Sequence, residues 1–336
     1  MTQLPRTTRQ ILLASRPEGW PTQENFTLSD ATLPELGIDQ VLVQNHYMSV
    51  DPYMRGRMND SKSYTAAFQI GEPLEGGAVG VVLASTSHDV PVGATVLHNL
   101  GWREHAVVEA ANAKLVDPSL APESAYLGAL GMTGLTAYAG LMYAGQFQEG
   151  ETVFVSGAAG AVGSIVGQIA KLSGASRVIG SAGSPEKVAR LMELGFDAAF
   201  NYHDGDVSEQ LQAAAPDGID VYFDNVGGDH LEAAITSLKV HGRVAMCGAI
   251  SQYNATEPTC APRNLSSAIG KLLTIRGFLV GEFSDKADEF AQKMAGWLSD
   301  GSLTFDETFR EGLDNAPQAF IDLLKGANTG KMVVRL

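Results

Sequence analysis

Apolar residues follow two rhythms along this chain. Over residues 1–125 they come in short alternating runs, broken at close intervals by glycine and proline. Asp39-Gln-Val-Leu-Val-Gln-Asn-His46 reads as a strand, Gly76-Gly-Ala-Val-Gly-Val-Val-Leu83 as a second, and Ala94-Thr-Val-Leu97 as a third. That pattern is expected of an irregular β-barrel. Gly128 to Tyr143 is rich in small residues and predicts a helix packed closely against a neighbour.

From Glu151 the rhythm changes to strand and helix in turn. Strands are predicted at Thr152-Val-Phe-Val155, Val178–Ser181, Ala198–Asn201, Ile219–Asp224, Gly242–Gly248 and Leu273–Val280. Val162, Ile165, Val166 and Ile169 recur at helical spacing. Ser184 reads as an N-cap with Pro185 at the first helical position, and that helix runs to near Gly195. Strands alternating with helices predict an α/β fold with a doubly wound parallel sheet, which takes ligands at the C-terminal ends of its strands. The rhythm is lost after about Gly301, and the tail Lys331-Met-Val-Val-Arg-Leu336 is read as returning to the first domain. The expected division is 1–128 with 302–336 against 129–301, enclosing a cleft for a small ligand.

Composition narrows the function. A length of 336 residues exceeds one small core. A net charge of −15 argues against nucleic acid or an anionic membrane as partner. No apolar run is long enough to span a membrane, and Ile11-Leu-Leu-Ala14 is too short for a signal-peptide core. Two cysteines, Cys247 and Cys260, lack C-x-x-C spacing, which fits a reduced cytoplasmic setting.

Between the first predicted α/β strand and its helix lies Ser156-Gly-Ala-Ala-Gly-Ala-Val-Gly163. Gly160 and Gly163 give G-x-x-G, with Ala158 where G-x-G-x-x-G has its first glycine. Such a turn brings backbone close to a pyrophosphate and aims a helix start at it. Gly160, Ala161, Val162 and Gly163 are therefore candidate cofactor contacts; plain helix–strand packing is the other reading. An NAD site commonly places an acid at the end of the second strand for the ribose 2′-OH. Here Gly180-Ser-Ala-Gly-Ser184 stands there without one, which admits a 2′-phosphate, and Ser181 and Gly183 join the candidates. Lys187 is either the pairing charge or a solvated helix residue. Tyr202 adds a hydroxyl. NADPH is the expected cofactor.

The seven histidines do not cluster with cysteine at metal-ligand spacing, and G-x-S-x-G is absent. Hydride transfer without a metal remains, and it needs a donor for the substrate oxygen. Tyr53, Tyr64 and Tyr253 are candidates, each also readable as a pocket wall or a packed ring.

Taken together, several blocks resemble the zinc-independent medium-chain dehydrogenase/reductases, in the prostaglandin reductase and plant alkenal double-bond reductase family, whose bacterial members include NADPH-dependent curcumin reductases. They are Met48-Ser-Val-Asp-Pro-Tyr-Met-Arg-Gly-Arg-Met58, Gly131-Met-Thr-Gly-Leu-Thr-Ala-Tyr138, Val155–Ser164, Phe223-Asp-Asn-Val-Gly-Gly228, Cys247-Gly-Ala-Ile-Ser-Gln-Tyr-Asn254 and Gly330-Lys331. The resemblance implies a chaperonin-10-like barrel, a Rossmann domain for NADPH, and a homodimer. It implies cofactor contacts at Gly160 through Gly163, Lys187, Tyr202, Asn225, Cys247, Gly248, Ala249, Ile250, Ser251, Tyr253, Phe278, Leu279, Val280 and Asn328. Tyr53 and Met132 are taken as pocket walls, and Tyr253 and Tyr64 as the catalytic candidates. Zinc-dependent relatives carry a Cys near Met48 and a His-Glu pair near Leu74-Glu75, of which this chain keeps only the Glu. Many relatives place a Tyr near the nicotinamide ribose where this chain has Gly270, so the proton donor is Tyr253, Tyr64 or the cofactor's own ribose hydroxyl.

The function expected is reduction of the C=C bond of an α,β-unsaturated ketone or aldehyde by NADPH, without a metal. A quinone reductase and a non-catalytic NADPH-binding protein are the alternatives on the same fold.

Overall fold

Alternating β-branched runs pair as antiparallel strands in the first part of the chain. The computed structural model describes residues 4–336. One unit is formed by the residues up to Gly128 with Glu307–Asn328 and Met332–Leu336; the other by Ala129–Asp306 with Thr329–Lys331.

In the first unit, β1 (Thr7–Leu13) and β2 (Phe26–Thr32) pair antiparallel, with Leu13 opposite Phe26. β3 (Gln40–Ser49) leads into one turn of helix, α1 (Met54–Arg57). β4 (Ala78–Ser85), β5 (Thr95–His98), β6 (His105–Glu109) and β7 (Lys114–Leu115) follow. β1, β2, β6 and β7 lie outside the expected strands. β2 buries only Phe26; Leu28 is exposed and Asp30 follows two residues on, so the apolar alternation does not continue. β4 starts at Ala78 rather than Gly76, because Gly76 bridges to Leu100 instead.

The second unit opens with α2 (Met132–Ala139) and a single π-helical turn, Gly140–Ala144. The expected helix over 128–143 is thus shorter and changes pitch at Gly140. A Cβ there would sit 2.4 Å from the Phe278 ring and 2.6 Å from the Phe223 ring, so only glycine lets the helix press so closely. Then come β8 (Thr152–Val155), α3 (Gly163–Leu172), β9 (Arg177–Ala182), α4 (Pro185–Glu193), β10 (Ala198–Asn201) and α5 (Val207–Ala214). β11 (Ile219–Asp224), α6 (Gly228–Ser237), β12 (Leu238–Met246), α7 (Ser267–Lys271), β13 (Thr274–Gly277) and α8 (Ala287–Ser299) complete it.

These strands form one parallel sheet in the order β10-β9-β8-β11-β12-β13. The order reverses between β8 and β11, the switch point where such sheets take ligands. Both faces are covered, as a parallel sheet requires. Val153, Val155 and Val178 share a buried cluster with Ile165, Val166 and Ile169 of α3. Phe154, Ile179 and Tyr222 face Leu211, Leu231 and Ile235 on the other side.

Two strand boundaries differ from the pattern. β12 begins at Leu238 rather than Gly242; His241 at φ 65° kinks it and masks its start. β13 ends at Gly277 rather than Val280, because Phe278 leaves the strand to pack edge-on against Phe223 and Phe283, each 6.1 Å away.

The chain finishes with β14 (Glu307–Glu311), α9 (Ala316–Leu324) and β15 (Lys331–Arg335). The sheet of the first unit runs β14-β15-β3-β4-β5-β7, with β6 beside β3. Its core stacks Trp102 on Phe26 at 5.9 Å, with Phe320 edge-on to both. Among the described residues, no helix is long and apolar enough to cross a membrane.

Candidate nucleotide site

All of β8 is buried, and the chain leaves it through Ser156–Val162 into α3. Gly157 takes φ +57°, and Ala158 donates its N–H to Ser181 O at 2.9 Å, tying the turn to the end of β9. A Cβ on Gly163 would lie 2.5 Å from Gly157 O, so the helix start is closed to any side chain. Gly160 is different: a Cβ there would meet only Gly157 O, at 3.3 Å. Its outer side is open, and small residues keep the wall low. The start of a ten-residue helix carries N–H groups beyond its own hydrogen-bond ladder and a partial positive charge. Turn and helix together fit a diphosphate.

Beside it, β9 stays buried through Ala182, and Ser181 Oγ is buried without a hydrogen-bond partner. Ser184 caps α4, its Oγ accepting the Lys187 N–H at 3.3 Å. Lys187 is half-buried, and burial pushes its ammonium below the usual lysine range. Tyr202 donates its N–H to Ala182 O at 3.1 Å. Its hydroxyl lies 2.8 Å from where a Cβ of Gly183 would stand, so Gly183 is what lets the phenol reach the strand end. Gly183, Lys187 and Tyr202 therefore stand together past the end of β9, with no carboxylate in Ser181–Ser184, whereas the side chain of Ser181, counted among the candidates, is fully buried. Lys187 and Tyr202 fit a ribose 2′-phosphate.

Across the switch point, a polar knot holds the loops after β11 and β12. Asp224 Oδ1 accepts the Tyr222 hydroxyl at 2.6 Å and the N–H groups of Gly227 at 2.7 Å and Val226 at 2.9 Å. Burial holds this carboxyl above the usual carboxylate range. Ser156 Oγ accepts the Asn225 N–H at 3.1 Å, and Asn225 Nδ2 donates to Ser156 O at 2.8 Å. Cys247 and Gly248 donate to Asp224 O at 2.9 and 3.0 Å. Burial pushes the Cys247 thiol up to about 12, so it stays protonated. Ile250–Gln252 forms a short 3-10 turn, and Tyr253 Oη accepts the Ala249 N–H at 3.3 Å. Ser251 Oγ donates to Val226 O at 2.5 Å. Phe278 joins this group through its N–H to Met246 O at 3.4 Å, with Leu279 and Val280 following.

The remaining candidates lie elsewhere. Met132 is exposed at the first residue of α2. In the first unit, Tyr53 packs against the apolar core; burial first, then Asp51, raises its phenol above the usual range. Arg57 lies 4.0 Å over the Phe68 ring and pairs with Glu75 at 2.9 Å, so the glutamate kept from the zinc pattern is an arginine partner here. Tyr64 is 64% exposed, and Asn328 is buried. Gly270 lies on α7 with nothing near a Cβ there. Among the described residues no group of three or more His, Cys, Asp or Glu could hold a metal ion.

Ser156, Tyr222 and Asp224 went unmarked in the sequence. Their signal is the alternation in β11, where Asp220, Tyr222 and Asp224 recur at every second position and so share a face.

Residues 9–116 match a family model described as the N-terminal domain of oxidoreductase, and residues 161–299 one described as zinc-binding dehydrogenase. The NADPH-dependent curcumin reductase of Escherichia coli is 42% identical, covering 100% of this chain and 99% of its own length. Prostaglandin reductase 1 of Rattus norvegicus is also 42% identical, over 95% of this chain and 96% of its own. The crystal structure of CurA from Vibrio vulnificus in complex with NADPH superposes with a TM-score of 0.92 at 43% identity, covering 97% of this chain and 98% of that one. The end-to-end likeness, in sequence and in fold, shows that the chain belongs to the medium-chain dehydrogenase/reductase family, in the branch of the curcumin and prostaglandin reductases.

Proposed function

We propose that this protein is an NADPH-dependent reductase of the C=C bond in α,β-unsaturated ketones and aldehydes. The observation that carries the reading is the end-to-end likeness to an NADPH-dependent curcumin reductase and to prostaglandin reductase 1. The acid-free end of β9, with Lys187 and Tyr202 gathered there, supports NADPH over NADH.

Bound NADPH supplies the hydride, which adds to the β-carbon of the enone. The chain's part is to bind, orient and stabilise. The Ser156–Gly163 turn and the start of α3 hold the diphosphate. Lys187 and Tyr202 meet the 2′-phosphate. Asn225 and the Cys247–Tyr253 loop flank the nicotinamide end, with Phe278 through Val280 and Asn328 as further contacts. Negative charge then develops on the substrate oxygen and needs a hydroxyl donor. Tyr253 is the first candidate: accepting the Ala249 N–H fixes its ring and strengthens its O–H as a donor. Tyr64 is the second. Tyr53 and Met132 serve as pocket walls. The α-carbon takes its proton from water or tyrosine.

The reaction needs no metal ion, and the protein works in the cytoplasm as a homodimer. Two free cysteines support a reduced setting. β13 is a sheet edge, and Leu265, Ile269 and Leu272 near it are exposed, which supports pairing with a second copy.

The test is direct. NADPH and an enone should give loss of absorbance at the nicotinamide band and the saturated ketone, unchanged by a chelator. An allylic alcohol as sole product, or loss of turnover on chelation, refutes the reading.

A further inference from the structure

α4 is a short helix with a demanding task. It has nine residues, and Leu191 is the one that is fully buried. Val188, partly buried, packs beside it against the same cluster, so the apolar contact is one narrow stripe that leaves the helix some rotation about its axis. With side chains the helix radius is about 5–6 Å, so a 20° rotation moves a side-chain tip by about 2 Å. That is enough to take an ammonium out of hydrogen-bond range.

A charged fork adds a polar anchor off that stripe. Arg190 Nε reaches Asp306 Oδ2 at 2.8 Å, and its Nη2 reaches Asp306 Oδ1 at 3.0 Å. Two parallel bonds set an angle as well as a distance. Arg190 stands three residues after Lys187, so the two are neighbours on the helix surface. Asp306 is fixed in turn. Its carbonyl accepts the Lys331 N–H at 2.8 Å, and the adjoining Gly330 N–H donates to Ala159 O at 2.8 Å. Gly330 sits at φ +66°, and a Cβ there would lie 1.9 Å from Asp306 O, so only glycine fits. The fork thus ties α4, through Thr329–Lys331, to the diphosphate turn.

We infer that Arg190 and Asp306 are positioning residues for nucleotide selectivity: their fork sets the rotation of α4 so that Lys187 meets the 2′-phosphate. The inference rests on the role given to Lys187 under the proposed function.

Equilibrium binding to the full-length protein without substrate tests it, with NADPH, NADH, adenosine 2′,5′-bisphosphate and 5′-AMP as ligands. Arg190→Met and Asp306→Asn should each weaken the two 2′-phosphorylated ligands by about three- to tenfold and the other two by less than about twofold, within the range for coupling inside one ion-pair network. The double variant should be no weaker than either single one. Arg190→Lys should fall between, since a point charge does not span both oxygens. It also keeps the test alive should Arg190→Met fail to fold. Equal losses for ligands with and without the 2′-phosphate, or additive losses in the double variant, overturn the inference. Lys187→Ala measured alongside separates the two levels. If it collapses the NADPH preference while Arg190→Met does not, the fork is only structural. If it leaves the preference intact, the role of Lys187 falls, and the inference with it.

Discussion

Replacing Asp224 by alanine should cost this protein about 2–4 kcal/mol of stability. The figure follows from the geometry. One carboxylate oxygen accepts the Tyr222 hydroxyl and the Val226 and Gly227 amides, all within 2.9 Å. Truncation strands two amide donors, of which Gly227 is fully buried, while the Tyr222 hydroxyl keeps Ser156 Oγ at 2.9 Å. Each buried unsatisfied donor costs about 1–3 kcal/mol. Against this, the variant no longer buries a carboxylate, and water can enter the space left, so the total falls below the simple sum. Asp224→Asn should behave differently. Its amide oxygen can hold the same donors, while its NH2 takes the place of Oδ2, which is buried without a partner. A loss of about 0–2 kcal/mol is expected there. Urea unfolding followed by circular dichroism at pH 7, with the slope of the transition unchanged, measures both. Alanine within about 1 kcal/mol of the parent would refute the reasoning, since the loss of a buried network would then be free. Asparagine as damaging as alanine would show that charge, not acceptor geometry, holds the knot.

Three further outcomes are expected. Lys187→Ala should weaken NADPH by about ten- to a hundredfold, the loss of one partly desolvated ion pair, with NADH little changed; titration of both nucleotides checks it, and equal losses refute the role. Tyr253→Phe should lower kcat/KM about 10²-fold or more and Tyr64→Phe much less if Tyr253 is the donor; steady-state rates with one enone decide, and two parental rates would leave the ribose hydroxyl or water as the proton source. The third concerns acid. His98 Nδ1 accepts the Leu100 N–H at 3.0 Å and Nε2 faces Asn45 Oδ1 at 2.9 Å, so the ring must be neutral, and burial pushes it down from 6.5 to about 4. The unfolded chain binds this proton first, so stability present above pH 6.5 should be lost as pH falls toward 4, by up to about 3 kcal/mol. Unfolding free energies at several pH values show the slope, and His98→Gln should flatten it; an unchanged slope refutes the assignment.

Local pattern alone determined the alternation from Glu151, the cap at Ser184 and the strands Thr152–Val155, Ala198–Asn201 and Ile219–Asp224. The physical reason is that a fully buried parallel strand must be a continuous apolar run, and a helix must show its face every 3.6 residues. Both leave marks readable over ten residues. The glycines of the turn were legible for a similar reason, since close backbone approach tolerates no side chain. What needed the tertiary structure was whatever depends on partners far apart in the chain. β2 is polar because the edge pair it forms with β1 asks little of its side chains. β13 stops early because Phe278 finds aromatic rings from β11 and from the 280–286 turn. Gly330 is obligatory because of Asp306, and Arg190 is anchored because of the same residue, 116 positions away. Such groups gain their meaning from juxtaposition, and one-dimensional spacing carries no record of it. The candidate groups past the end of β9 were therefore visible in the sequence; the contacts that fix their helix were decided by folding.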